Sequence, residues 1–237
     1  MRALIIQHDH VSPAGPVGER LAARGYELVF HEVVPQEQFH TPNVETEFPE
    51  AASCEVIVPM GAPWSTFDHA LIGSWVTPEL ELLRQADAHG VPVLGICFGG
   101  QLLAAAHGGS VAASPSPEVG YVEVSSDDED LVASGEWFAW HGDRWQVPPL
   151  AREIARNDAA SQAFVLRRNL AVQFHPELTP AMLAGWLDNG GDRKAISLGV
   201  DPDQLRAQAA SRVASAQRRA FALVDAFLDR VATSGQG

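Results

Sequence analysis

The stretch VPVLGICFGGQLLAAAHGG, residues 91–109, constrains the fold more than any other part of the chain. Its first six residues are apolar and turn-bounded, which reads as a strand buried on both faces; a strand of that kind belongs to a parallel sheet covered by helices. The run FGGQLLAAAHGG that follows reads as a helix closed by Gly108 and Gly109 at its C-terminal cap. Cys97 sits in the turn between them. A nucleophile held at such a turn needs strained backbone angles, and Gly95 and Gly99, two residues to either side, remove the side chains that would clash. The helix N-terminus aimed at the sulfur favours thiolate over thiol.

Other segments repeat the alternation of strand and helix. ALII at 3–6 opens the chain as a buried strand, and a Pro- and Gly-bearing loop leads from it into a helix near Val17–Arg24. YELVF at 26–30 and EVIVP at 55–59 read as further strands, with a polar, Pro-punctuated and irregular stretch between them at 35–53. Thr77, Pro78 and Glu79 have the N-cap, N1 proline and first-turn acid of a helix start. Leu80, Leu82, Leu83 and Ala86 supply that helix's apolar face and Gly90 ends it. Beyond residue 109 the pattern changes. VGYVEV at 119–124, EWFAW at 136–140, QAFVLRR at 162–168 and LAVQFH at 170–175 are strand-like in succession, predicting an antiparallel excursion and then a return to the main sheet. Residues 180–190 read as helical. From Asp201, with Pro202 at N1, apolar residues from Leu205 to Val231 recur at helical spacing as an amphipathic helix or helix pair, and SDDED at 126–130 reads as a solvated acidic loop.

Composition removes several function classes. Sixteen Lys and Arg against thirty Asp and Glu leave a net charge of −14 on 237 residues, which argues against a nucleic-acid partner. The only lysine, Lys194, lies in GGDRKA and cannot complete a Walker A loop, and no GxGxxG follows a strand, so neither ATP nor NAD is expected and no cofactor is assigned. Apolar runs fall far short of the ~20 residues of a membrane span, and no signal peptide is present at the start, so the expectation is a cytoplasmic protein without a membrane partner. Cys54 and Cys97 are too few for a disulfide framework. Cys54, just before a strand, is expected to be inert.

A thiolate needs a base, and QFHPE places His175 at a strand end where Pro176 forbids further ladder pairing. Glu177 stands two residues on, able to fix the imidazole tautomer. PMGAPWS at 59–65 is a glycine-bearing turn after a strand, a geometry that can aim backbone N–H groups at a developing oxyanion.

GICFGGQLLA with Cys97, the GAP-x-S turn at 61–65, WHGD at 140–143 and QFHPE at 173–177 occur in the order and spacing of the class I glutamine amidotransferases. Over residues 55–190 the chain resembles that family, especially stand-alone members similar to the glutaminase domain of GMP synthase. The resemblance implies a flavodoxin-like, doubly wound α/β fold with a mostly parallel sheet, helices on both faces, a small antiparallel excursion and an extra C-terminal helix. It implies a triad of Cys97, His175 and Glu177 working through a γ-glutamyl thioester, with oxyanion donors at the N–H groups of Ala62 and Phe98. Gly61, Gln101, His141, Gly142 and Asp143 would hold the substrate. Ala62 departs from the family's usual second glycine in this turn. The expected organisation is an amidotransferase domain over 1–195 and a helical extension over 196–237 packed on it, so that an ammonia acceptor would be bound by a separate synthetase chain.

Two rivals stand beside the amidotransferase reading. One keeps the triad but makes the substrate another γ-glutamyl compound, cleaved by a γ-glutamyl hydrolase or peptidase without a synthetase. The other is a non-catalytic binding module, against which the intact Cys, His and Glu argue. His8 and His10 bracket Asp9 at the end of the first strand but lack a third matched ligand, so no metal is assigned. Trp64, Trp137, Trp140 and Trp145 lie near the motifs as pocket or rim residues.

Overall fold

The structure, a computed structural model, describes residues 1–233. Strand β1 (Arg2–Gln7) lies between β2 (Glu27–Glu32) and β3 (Val56–Pro59), parallel to both. A single parallel bridge, Ile57 to Val93, joins β3 to the segment entering β4 (Leu94–Ile96), and β4 pairs in parallel with β9 (Asn169–Val172). The parallel order is therefore 2-1-3-4-9, the flavodoxin-like arrangement, with its switch between β1 and β3. Alternation within β1 assigns its side chains to two cores. Ala3 and Ile5 face Val17 and Leu21 of α1 (Gly15–Ala23), whereas Leu4 and Ile6 face the side of α2 (His69–Ala88) and α3 (Phe98–Ala106).

The excursion is larger than the sequence predicts. β5 (Ser110–Ser126) and β6 (Gly135–Gln146) form a long antiparallel hairpin, and β7 (Arg152–Arg156) and β8 (Ser161–Leu166) carry the sheet back to β9. Pro115 and Pro117 hide the first half of β5 from a propensity reading; the β5–β6 register breaks between Ala113 and Glu118, where those prolines sit. The last strand also ends earlier than expected, at Val172. Beyond it the His175 N–H turns to the Phe138 carbonyl (2.7 Å) of the hairpin.

Helix α2 corrects the start expected at Thr77. It begins nine residues earlier at Asp68, whose carboxylate accepts from the Leu71 N–H (3.2 Å), and Pro78 lies inside it on the exposed side. Ile72, Trp75 and Val76 continue the buried stripe of Leu82, Leu83 and Ala86 back through the first two turns, so burial overrides the local signal of Thr-Pro-Glu.

After α4 (Pro180–Trp186) a short wound turn and α5 (Asp192–Ser197) lead to α6 (Pro202–Ala226), one long helix rather than a pair. Leu205 and Ala209 of α6 pack with Phe138, Leu178 and Met182; Leu223 and Val224 pack into the core beside Leu21 and Ile154. Arg20 and Arg24 of α1 both pair with Asp225, each at 2.7 Å. The acidic stretch at 126–130 is not simply solvated either, because Asp128 receives Arg230 (2.8 Å) and Arg152 (3.4 Å).

Candidate active site

The carboxyl ends of β1, β3, β4 and β9 converge on one cavity of about 730 Å³. Its lining includes Gly61, Ala62, Cys97, Phe98, Gln101, His141, Gly142, Asp143 and His175. Nine of the ten residues singled out from sequence thus meet in one place, and the tenth, Glu177, lies fully buried behind His175.

Cys97 has φ +49°, ψ −105°, one of two non-glycine residues with positive φ among the described residues. Its strain is held by the surroundings. The Cys97 N–H donates to the Val172 carbonyl (2.8 Å), its carbonyl accepts from the Gln101 N–H (2.9 Å), and the Gly99 N–H donates to the Met60 carbonyl (3.0 Å). The flanking glycines are required by backbone contact. A Cβ on Gly99 would lie 2.1 Å from the Pro59 oxygen, and one on Gly95 would lie 2.8 Å from the Gly99 oxygen. The sulfur is 3.8 Å from the Trp140 carbonyl and 3.6 Å from the Gln173 carboxamide nitrogen.

The His175 Nδ1 donates to Glu177 Oε1 at 2.7 Å, and Nε2 lies 3.4 Å from the Trp140 carbonyl that also faces the sulfur. A Cβ on Gly61 would meet the His175 ring at 3.0 Å and the Cys97 Cβ at 3.9 Å, so only glycine leaves room for the two side chains to share this corner. Burial alone would lower the His175 pKa. The charges of Glu177 and Cys97 and hydrogen bonds to both outweigh it, holding the imidazole well above the ordinary histidine value. Gly15, at φ +44°, opens α1 directly against the Glu177 backbone: a Cβ there would lie 2.2 Å from the Glu177 oxygen.

The Gln101 carboxamide donates to the Asp143 carbonyl (3.2 Å), which also faces His141 Nδ1 (3.0 Å). Glu118, not singled out from sequence, organises this wall. Its carboxylate meets His141 Nε2 (2.9 Å), Asn157 Nδ2 (2.7 Å) and Gln162 Nε2 (2.8 Å). Burial works to raise the Glu118 pKa, and these hydrogen bonds, with the His141 charge, bring it below the usual value. Trp186 was also missed; its indole N–H donates to Ser12 Oγ (3.1 Å), which in turn donates to the buried Asp9 (3.0 Å). Trp64 and Trp140 line the cavity, whereas Trp137 and Trp145 are buried in the cores. His8 turns inward onto Glu79 and His10 packs against Phe39. No group of three or more His, Cys, Asp or Glu is placed to share a metal among the described residues. No helix among them is long and apolar enough to cross a membrane.

Fold and site together define a doubly wound α/β protein with a cysteine elbow facing a buried histidine–carboxylate pair. Residues 20–189 match the family model described as glutamine amidotransferase class-I, and the chain belongs to that family. Among curated relatives, the GMP synthase [glutamine-hydrolyzing] of Aromatoleum aromaticum is 32% identical over 162 residues, 60% of this chain and 29% of that protein. A separately named GMP synthase [glutamine-hydrolyzing] subunit from Sulfurisphaera tokodaii is 43% identical over 96 residues, 37% of this chain and 51% of that one. The matches therefore span about half or less of these relatives' length. A solved glutamine amidotransferase from Thermotoga maritima superposes with a TM-score of 0.82 at 20% identity, covering 97% of this chain and 98% of that one. The glutamine amido transferase of Methylobacillus flagellatus gives 0.79 at 26% identity over 96% of this chain and 94% of that one.

Proposed function

We propose that the chain hydrolyses the side-chain amide of glutamine with Cys97 as nucleophile, releasing ammonia to an acceptor bound by a separate synthetase chain. The observation that carries this reading is Cys97 held at a positive-φ elbow beside a His175 whose far nitrogen is fixed by Glu177 at 2.7 Å. In the first step the sulfur bonds to the amide carbon and the carbonyl π pair moves onto oxygen, received by the N–H groups of Ala62 and Phe98. Neither N–H has an acceptor among the described residues. Collapse of that intermediate breaks the C–N bond, and the His175 imidazolium gives its proton to the departing nitrogen, so ammonia leaves and a γ-glutamyl thioester remains. Water then attacks the thioester, His175 takes its proton, and glutamate and the Cys97 thiolate are regenerated. Gln101 and the wall of His141, Gly142 and Asp143, held by Glu118, are the surfaces assigned to the glutamyl backbone, with Gly61 at the reacting end.

The synthetase partner is supported by relatives whose glutamine-hydrolysing part is a polypeptide with a name of its own, as in Sulfurisphaera tokodaii. One observation favours a second reading. The cavity, at about 730 Å³, lies within the ~300–1,000 Å³ of pockets that take drug-sized ligands. Phe39, His40, Trp64 and Trp186 extend its walls past the residues assigned to the glutamyl group, which suits a γ-glutamyl compound with a bulkier amine and no synthetase. Purified chain assayed against glutamine and a panel of N-substituted γ-glutamyl amides separates the two. The amidotransferase reading expects slow, Cys97-dependent glutamine turnover that rises with a co-purifying synthetase; rapid unaided cleavage of a larger amide, with glutamine spared, overturns it in favour of the hydrolase.

A further inference from the structure

His8 and Glu79 form a fully buried pair that the proposed reaction does not use. His8 follows β1 and Glu79 lies in α2, 71 residues away. The ring's Nε2 is 3.1 Å from both Glu79 oxygens, and its Nδ1 is 3.3 Å from the Gly61 carbonyl. Trp75 and Phe98, with ring centroids 5.6 and 4.8 Å away, clamp the imidazole so that it cannot swing out of this line.

We propose that His8 and Glu79 are positioning residues that aim the Ala62 N–H at the reacting carbonyl oxygen by holding the Gly61 carbonyl in the opposite direction. The inference rests on Ala62 serving as an oxyanion donor, as set out above. The Gly61 C=O and the Ala62 N–H belong to one peptide unit. No peptide bond of the described chain is cis, so in this planar trans unit the two dipoles point in opposite directions. Anchoring the carbonyl to the buried imidazole therefore turns the N–H toward the cavity that Ala62 lines. The alternative orientation, a peptide rotated by half a turn, would bury the N–H against the ring and face a carbonyl oxygen at the developing negative charge.

The donor count explains the carboxylate. The Gly61 oxygen can only accept, so Nδ1 must carry hydrogen. A neutral imidazole would then turn the bare lone pair of Nε2 on Glu79, which burial makes costly. One further proton between Nε2 and Glu79 removes the conflict. Burial acts to lower the His8 pKa, but the charge and hydrogen bond of Glu79, with Asp9 nearby, raise it above the ordinary value, in accord with a pair that keeps that proton. The His8 ring also packs on Phe98, whose own N–H is the second assigned donor, so one buried side chain seats both.

The test uses the full chain and three variants. In His8→Phe/Glu79→Met the buried ion pair gives way to apolar groups of similar size, a change that buried pairs often tolerate without loss of stability. His8→Asn keeps a donor near the position of Nδ1, whereas His8→Gln keeps one near Nε2 and loses the contact with Gly61. Turnover of glutamine and of γ-glutamyl-p-nitroanilide is measured beside the rate of Cys97 alkylation by iodoacetamide, a displacement that develops no carbonyl oxyanion. We expect the double variant and His8→Gln to lose about 10- to 10³-fold in kcat, the scale of one oxyanion donor. KM and alkylation should stay within about threefold, and His8→Asn should keep kcat within about tenfold of wild type. Wild-type kcat in a folded double variant overturns the inference, as does equal loss in His8→Asn and His8→Gln should the double variant not fold. Absence of Cys97-dependent turnover in the wild type would instead overturn the proposed function beneath it.

Discussion

Replacing Gly99 by alanine tests whether the elbow is held as closely as the structure has it. A Cβ at Gly99 would lie 2.1 Å from the Pro59 oxygen, 2.5 Å from its carbonyl carbon and 2.8 Å from its Cβ, all in β3 and none at the end of a flexible side chain. Strand β3 and helix α3 must therefore part by about 1 Å, which in a packed core costs about 1–3 kcal/mol. Parting them also weakens the Gly99 N–H bond to the Met60 carbonyl, worth about 0.5–1.5 kcal/mol. Against this, alanine gains about 1 kcal/mol over glycine within a helix. The net is a destabilisation of about 1–3 kcal/mol, or a fall in Tm of roughly 2–12 °C at about 2–4 °C per kcal/mol for a domain of this size. Gly73 in α2 is the control, because a Cβ there meets only the His69 Cβ at an ordinary 3.5 Å, and Gly73→Ala should raise Tm by a few degrees. The same parting moves Cys97 away from the Gly61–Ala62 turn, and a displacement of about 1 Å at a reacting centre costs on the order of 10²-fold in rate. Thermal unfolding and glutaminase kinetics on both variants read the two effects. A Gly99→Ala protein with wild-type Tm and kcat refutes the close approach of α3 to β3 and the reasoning built on it.

The histidine should respond to its carboxylate. Its pKa is raised by Glu177 and Cys97 against burial, so the imidazolium persists through neutral pH and is lost only as pH rises through the elevated folded value. Glu177→Gln removes one of those charges, and the alkaline limb of kcat/KM should move to lower pH in a pH-rate profile; an unmoved limb contradicts the assignment. His175→Ala should fall to the same floor as Cys97→Ala, with Glu177→Gln losing less, since groups acting as a unit are not additive. Glu118→Ala strands donors on His141, Asn157 and Gln162, each costing about 1–3 kcal/mol if left unpaired. It should lower Tm and raise KM more than it lowers kcat, because it loosens the wall at 141–143; steady-state kinetics showing the reverse split would place Glu118 elsewhere in the mechanism.

What was legible in the sequence was local. The elbow at Cys97 could be read because strand, turn and helix are contiguous and the two glycines announce a backbone with no space for side chains. The cavity residues could be named because each follows a strand that a parallel sheet brings to one edge. The start of α2 was misread for the same reason that the elbow was not: Thr-Pro-Glu is a strong local signal, and only the burial of Ile72, Trp75 and Val76 on the sheet decides against it. Residues that act across distance left no trace. Glu118 meets Asn157 39 positions away and Gln162 44 positions away, and His8 meets Glu79 71 positions away; neither carboxylate stands in a motif. Their signal is unsatisfied valence in three dimensions, a buried acid that must find donors, and that becomes visible only once the fold has brought the donors to it.

The covalent step is the centre of the account, and the most direct measurement is the mass of the protein caught during turnover. Wild type mixed with glutamine or a cleavable γ-glutamyl amide, quenched in acid within a turnover and digested, should yield the Cys97 peptide carrying a γ-glutamyl group as an acid-stable thioester. Cys54→Ala should give the same adduct, since that thiol is buried in the core beside Ser53, and Cys97→Ala should give neither adduct nor turnover. A γ-glutamyl group on Cys54, or turnover that survives in Cys97→Ala, would contradict the account.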